Sequence, residues 1–276
     1  MIGVLLDTDY WLLATRFLLS VLSLSPAVFR LEYLEFEMTK RFLVFQHMDW
    51  EGPGVHLVRS ANELNLNLEV VEVWHQSIPD LSSYDGLLVL GGSPNVDQEN
   101  LYPYLRAEKD AILYMIENEK SYLGFCLGHQ LLSHVLGLRV GPNSRRSVGF
   151  IEGHLTVQGR QHPLFQDLPD TLPLFKWHGQ AALPPVPNHV EILATSPDCQ
   201  VEAISPKGKP YIVGLQFDNH AASKLDAATW LEGDREWLSQ PPKVDSALVL
   251  ADAEKLETVM GKQFEILFRN FMNINA

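Results

Sequence analysis

The sequence predicts an α/β fold: a doubly wound, mostly parallel sheet with antiparallel accessory strands and C-terminal helices. Three observations carry that expectation. Short apolar runs alternate with helical segments from Arg41 to Leu136. Strands joined by crossover helices make a parallel sheet covered on both faces. Beyond Gly141 the pattern changes to closely spaced short strands, and two helical stretches close the chain.

The elements follow in order. Phe42 to Gln46 is a short apolar run suited to a buried strand. Gly52, Pro53 and Gly54 form a turn before a helical segment around Val55 to Leu64. Leu68 to Trp74 reads as the second strand, and Gly86 to Leu90 as the third, ending in Gly91-Gly92. Tyr102 to Glu119 has Leu105, Ile112, Met115 and Ile116 at helical spacing. Ser121 to Phe125 is the next strand and Gln130 to Leu136 the next helix. Short strands are expected at Val148–Val157, Leu174–Trp177, Val190–Ala194, Val201–Ile204 and Tyr211–Phe217. Helices are expected from Ala221 to Leu238 and from Ser246 onward, the latter with an apolar stripe through Met260, Phe264 and Phe268.

Three segments are expected: a leader over 1–37, a main domain over 38–240 and a helical extension over 241–276. The leader is apolar from Trp11 to Phe29 but is interrupted by Arg16 and broken by Pro26. Asp7 and Asp9 stand where a signal peptide carries basic residues. Arg16 with several Ser and Thr residues argues against a bilayer span. Met38, just before the first clear strand, would make a workable start.

Composition narrows the function. The formal net charge of -13 opposes binding to nucleic acid or to an anionic membrane surface. With only Cys126 and Cys199 there is no disulfide framework, and a site of several thiolates is excluded. The histidines show no metal-ligand spacing. A reducing, cytoplasmic setting is the natural expectation, with no metal and no cofactor called for.

Gly124-Phe125-Cys126-Leu127-Gly128-His129-Gln130 is the most informative segment. An apolar strand enters it and an apolar helix leaves it, which is the context of a nucleophile elbow. So tight a turn needs small residues two positions either side of the nucleophile, and Gly124 and Gly128 supply them. The N–H of Leu127 is then free to stabilise an oxyanion. The helix N-terminus beneath Cys126 should lower its thiol pKa. Without that context, Cys126 would read as a buried cysteine in a glycine-rich turn.

The segment GFCLGHQLL closely resembles the nucleophile motif of class I, triad-type glutamine amidotransferases. Phe45-Gln46-His47 with Glu51-Gly52-Pro53-Gly54 is similar to the first strand and loop of stand-alone, GMP synthase-like members. Leu90-Gly91-Gly92-Ser93-Pro94, Val148-Gly149-Phe150, Lys176-Trp177-His178-Gly179 and Gly214-Leu215-Gln216-Phe217 resemble further landmarks. The likeness runs over roughly residues 41 to 223. It implies the flavodoxin-like form of the doubly wound sheet. It also implies that Cys126 attacks the side-chain amide of glutamine to give a thioester, ammonia and finally glutamate. By the same resemblance, Gly92 and Leu127 hold the oxyanion, while Gln130, Gly91 and His178 seat the substrate.

One position departs from the pattern. In the family, Gly-Leu-Gln-Phe is followed by His, one residue, then Glu, as base and orienting acid. Here the residues are Asp218, Asn219 and His220. A carboxylate beside Cys126 would raise its pKa. Three outcomes stay open: His220 swings toward Cys126 with Asp218 orienting it, His178 serves as base, or the protein binds without turnover. No Walker-type phosphate loop is present. Ammonia would therefore pass to a separate acceptor or synthetase subunit, to an acceptor bound at the site, or to solvent.

Overall fold

The computed structural model describes residues 39–274. From Lys40 on, the chain forms one compact unit. The expected leader over 1–37 lies outside the described residues.

Nine strands form one sheet in the order β2-β1-β3-β4-β9-β8-β7-β5-β6. Five of them are mutually parallel: β2 (Asn67–Glu72), β1 (Arg41–Gln46), β3 (Gly86–Val89), β4 (Ser121–Phe125) and β9 (Ile212–Leu215). The remaining strands, β8 (Cys199–Pro206), β7 (Val190–Ser196), β5 (Arg139–Leu155) and β6 (Thr171–Leu183), continue the sheet antiparallel. This is the expected flavodoxin-like α/β architecture with its antiparallel accessory part.

The inner strands are buried along nearly their whole length, because crossover helices cover both faces. Strand periodicity divides β1 between two cores. Phe42 and Val44 point to one, with Leu88, Leu123 and Phe125. Leu43 and Phe45 point to the other, with Leu87, Val89 and Tyr122. The second core is closed by α2 (Tyr104–Glu117) and α3 (Leu127–Val135) through Leu105, Ile112 and Leu131. Helix α1 (Val55–Glu63) contributes Leu57 and Ala61 to the first core.

The expected final helix is α7 (Ser246–Asn273). Its stripe packs on its own domain: Phe264, Leu267, Phe268 and Phe271 complete the first core, and Phe271 meets Phe42 edge-on at 6.2 Å. The expected helix over Ala221–Leu238 is divided. A short helix α4 (Val157–Gln161) lies earlier in the chain, and the region in question holds α5 (Lys224–Gly233) and α6 (Arg235–Ser239). Ser223 caps α5 through Asp226 N–H. Asp234 breaks the run between α5 and α6, and its carboxylate accepts a 2.7 Å hydrogen bond from the Trp177 indole. Strands β5 and β6 are longer than periodicity indicates, because they pair with each other across a register shift between Pro142 and Ser147. No helix among the described residues is long and apolar enough to cross a membrane.

Candidate active site

Cys126 sits at the carboxyl end of β4, where the chain turns directly into α3. Its φ of 44° lies in the left-handed region, which costs a non-glycine residue free energy and is held only by surrounding structure. Cys126 N–H donates to Leu215 O at 2.9 Å, and Gln130 N–H donates to Cys126 O at 3.0 Å. The flanking glycines are required by close approach. A Cβ on Gly128 would lie 2.4 Å from Val89 O, and one on Gly124 would lie 2.5 Å from the Gly128 carbonyl carbon. Tyr122 Oη donates to Gly128 O at 2.8 Å from beneath.

The thiol opens into a cavity of about 420 Å³ lined by Cys126, Gly92, Gln130 and His178 together with Glu51 and Asp234. Gln130 Nε2 donates to Gln180 O at 3.0 Å. Of the residues expected at the site, Cys126, Gly92, Gln130 and His178 thus border one space.

The ionisable neighbours that raise the pKa of Cys126 are the carboxyl groups of Asp218 and Glu51. Burial pushes the thiol pKa well up, and Asp218 and then Glu51 push it further. Lys176 and the Leu127 N–H act in the opposite sense and are outweighed. The lowering expected from the helix terminus is present, through the Leu127 N–H, but burial and the carboxyl groups outweigh it. The thiol instead faces Trp177 O at 3.8 Å as a weak donor. Asp218 is fully buried, and neither of its carboxyl oxygens has a hydrogen-bond partner among the described residues. Burial raises its pKa well above the usual carboxylate range. Glu51 is pushed up to about 8 by burial, then by Asp234 and Asp218. The three groups converge at Gly91: a Cβ there would lie 2.9 Å from Glu51 Oε2, 3.5 Å from Cys126 Cβ and 3.7 Å from Asp218 Oδ1.

His220 is placed elsewhere. Its ring packs on Phe125 with centroids 4.2 Å apart and planes tilted by 32°, and meets Trp230 edge-on at 6.3 Å. It is fully buried, has no hydrogen-bond partner among the described residues and does not border the cavity. The expected swing toward Cys126 is absent because the aromatic core holds the ring, and Asp218 makes no hydrogen bond to it. His178 does border the cavity. Its Nδ1 lies 2.8 Å from Gln180 O, which can only accept, so Nδ1 carries the proton and Nε2 keeps a lone pair. Burial, then Lys176, holds the ring well below the ordinary histidine range, hence neutral.

Glu51 and His47 join the site without any motif that assigns them a role there. Both follow β1, at the carboxyl end of a parallel strand, where open α/β sheets place ligands. That position, and the resemblance of Phe45-Gln46-His47 with Glu51-Gly52-Pro53-Gly54 to the family's first strand and loop, are the signals the sequence offers for them. His47 is fully buried between Gly91 O at 2.7 Å and Glu108 Oε1 at 2.8 Å. No cluster of His, Cys, Asp or Glu among the described residues could hold a metal ion.

The family model described as glutamine amidotransferase class-I matches residues 55–229. This chain belongs to that family. Its relatives within the class-I amidotransferases include a glutamine-hydrolyzing GMP synthase chain of Archaeoglobus fulgidus, named as one of that enzyme's subunits, which is 28% identical over 60% of this chain and 82% of that protein. The glutamine-hydrolyzing GMP synthase of Thermomicrobium roseum is 32% identical over 49% of this chain, and the match spans only 23% of that longer protein. A glutamine amidotransferase from Thermotoga maritima superposes with a TM-score of 0.76 at 25% identity, covering 85% of this chain and 98% of that one.

Proposed function

We propose that this chain binds glutamine in the Cys126 cavity, keeps Cys126 as the attacking atom, and hydrolyses the amide slowly at neutral pH. One observation carries the reading: the thiol is faced by the carboxyl groups of Asp218 and Glu51, while His220 is packed in the core on Phe125.

In the proposed reaction Cys126 sulfur gives its proton to solvent in the cavity, from which Glu51 later regains the proton it donates, and the sulfur bonds to the amide carbon. The N–H groups of Gly92 and Leu127 receive the oxyanion. The C–N bond then breaks, and nitrogen leaves as ammonia after gaining a proton. Glu51, neutral below about pH 8, borders the cavity and is suited to give that proton. Water then releases glutamate and restores the thiol. The weak step is the first, because the base position holds an acid. Loss of a general base costs about 10²–10⁴-fold in rate. The archaeal relatives, each named as one subunit of GMP synthase, support a separate synthetase chain as the receiver of ammonia.

A second reading rests on the His178 tautomer: His178 borders the cavity as a neutral ring whose Nε2 has a free lone pair, and because burial makes it a weak base, thiol deprotonation by this route is slow as well. Calorimetry with glutamine, combined with ammonia and glutamate release, tests both. Wild type and Cys126→Ala are expected to bind glutamine, with release slow in wild type and lost in Cys126→Ala. Loss of release in His178→Gln with binding retained selects the second reading. Wild type that neither binds glutamine nor releases ammonia, alone or with a GMP synthetase subunit, overturns the proposal.

A further inference from the structure

We propose that His47, braced by Glu108, is a positioning residue that locks the Gly91–Gly92 peptide with its N–H aimed into the Cys126 cavity. This rests on the reading of Gly92 as an oxyanion donor. The geometry supplies the rest. Gly91 O only accepts, so the 2.7 Å contact fixes a proton on His47 Nδ1. The 2.8 Å contact of Nε2 with Glu108 Oε1 holds the ring from its other side. Both side chains are fully buried, so water does not compete for either contact.

The carbonyl of Gly91 and the N–H of Gly92 belong to one peptide plane and point in opposite directions across a trans bond. Holding the oxygen against His47 therefore turns the Gly92 N–H away from His47. Gly92 borders the cavity that holds Cys126. A glycine pair has no side chain to fix its own orientation, and such a peptide turns over readily unless one end is held. The close fit agrees: a Cβ on Gly92 would lie 2.6 Å from His47 Cβ and 3.1 Å from Leu127 Cδ2. His47 is thus wedged directly against the residue whose N–H it orients.

Two further observations bear on the ring. Burial lowers its pKa, but the Glu108 charge and hydrogen bond, the Gly91 carbonyl and Glu51 together raise it overall. Tyr104 packs beside it with centroids 6.2 Å apart. Whichever way the proton between His47 and Glu108 is shared, the Nδ1–H to Gly91 O is unaffected.

The test uses γ-glutamyl p-nitrophenyl ester, because nitrophenolate leaves without needing a proton; the loss of the thiol proton remains, and it is common to wild type and the His47 variants. Sulfur bonds to the acyl carbon, the C–O bond breaks, and one equivalent of nitrophenolate appears as a burst that Cys126→Ala abolishes. His47→Leu is expected to slow the burst about 10²–10³-fold, the usual cost of losing one oxyanion donor. The glutamine Kd and the rate of Cys126 alkylation by iodoacetamide should stay unchanged, which a general loosening of the site would not allow. His47→Asn, whose amide nitrogen can occupy the Nδ1 position, should restore most of the rate. If His47→Leu is unstable because Glu108 is left unpaired, the double variant with Glu108→Leu removes that cost. A burst in either Leu variant equal to wild type overturns the proposal. A crystal structure of the Leu variant is independent of turnover: a turned Gly91–Gly92 peptide supports the lock, and an unmoved one refutes it. A wild type without burst or glutamine binding refutes the oxyanion reading itself, while the crystal structure still judges the lock.

Discussion

Cys126 Sγ lies 3.8 Å from the carbonyl oxygen of Trp177, so the thiol proton has an acceptor at a site where the thiolate is opposed by Asp218 and Glu51. The thiolate fraction at neutral pH is therefore small and rises as pH rises. Iodoacetamide alkylation of Cys126, followed by mass spectrometry, should show a midpoint well above that of an ordinary thiol. Asp218→Asn and Glu51→Gln each remove one opposing carboxyl group and should move the midpoint down. Cys199, pushed up to about 12 by burial and then Glu202, serves as the unreactive control. A wild-type midpoint at or below the ordinary cysteine value would remove the electrostatic account.

The buried His220 makes a prediction about acid stability. Burial, then His56, lowers its pKa to about 3, whereas an unfolded histidine titrates near ~6.5. Between those values the unfolded chain binds a proton that the native ring refuses, so native stability is full above about 6.5 and falls as pH drops below it. At about pH 5.5 the loss from His220 alone is ~1.4 kcal/mol. Replacing the ring by an apolar one in the same aromatic cluster removes that loss. His220→Phe should shift the acid-unfolding midpoint, followed by far-UV circular dichroism, to lower pH. An unchanged midpoint would mean that other groups, such as His129 at about 3, dominate acid unfolding.

Much of this architecture was legible because it rests on local rules. The β4–α3 junction could be read from Gly124, Cys126 and Gly128, since only small residues fit at 2.4–2.5 Å from neighbouring backbone. The parallel strands could be read from continuous apolar runs. What escaped was long-range. The division of Ala221–Leu238 depends on Asp234 turning toward Trp177 on β6, a partner 57 residues away. The fate of His220 depends on Phe125 and Trp230, which close around it only after the sheet forms. Glu51 and His47 reach the site because their loop crosses the end of β3, a juxtaposition that no spacing along the chain reveals.

The elbow also predicts a stability cost. Gly128→Ala drives a methyl group to 2.4 Å from Val89 O and 2.9 Å from Val89 Cβ, so β3 and α3 must separate. Forcing a methyl group into such packing costs about 1–3 kcal/mol. Gly141→Ala is the comparison, since the nearest atom to its Cβ is a flexible Leu183 side-chain carbon at 3.2 Å. Urea titration should show a much larger loss for Gly128→Ala than for Gly141→Ala. Equal losses would show that β3 and α3 tolerate separation.

Lys176 links the core to the site. It pairs with Glu202 in full burial, and Glu202 also accepts from Ser196 Oγ at 2.5 Å. Removing one member of such a pair leaves a buried charge uncompensated, at a cost of about 3–5 kcal/mol. Lys176 is also the cation that opposes the rise in the Cys126 and Asp218 pKa values. Lys176→Met should therefore be strongly destabilised in urea and should alkylate at Cys126 more slowly than wild type at the same pH. The double variant with Glu202→Leu should recover stability without recovering alkylation, because the charge facing the thiol is still gone. Recovery of both together would mean that the alkylation change came from unfolding.

Asp218→His restores an imidazole at the position that faces Cys126. The side chain there is fully buried, and a neutral ring is easier to hold in that setting than an ionised carboxylate. Two effects then act in one direction. The opposition of Asp218 to the thiolate disappears, and a proton acceptor is gained at the thiol. Ammonia release from glutamine should rise by about 10–10²-fold, a part of the ~10²–10⁴ that a well-placed base supplies, because the new ring lacks an orienting acid. Supplying that acid through His220→Glu is expected to fail, since it would bury a carboxyl group against Phe125 in the space the ring now fills. The double variant should thus be less stable than Asp218→His and no faster. A double variant that is both stable and faster would show that the side chain at position 220 leaves the aromatic cluster and reaches position 218, which would overturn the placement of the two residues on which the proposed function depends.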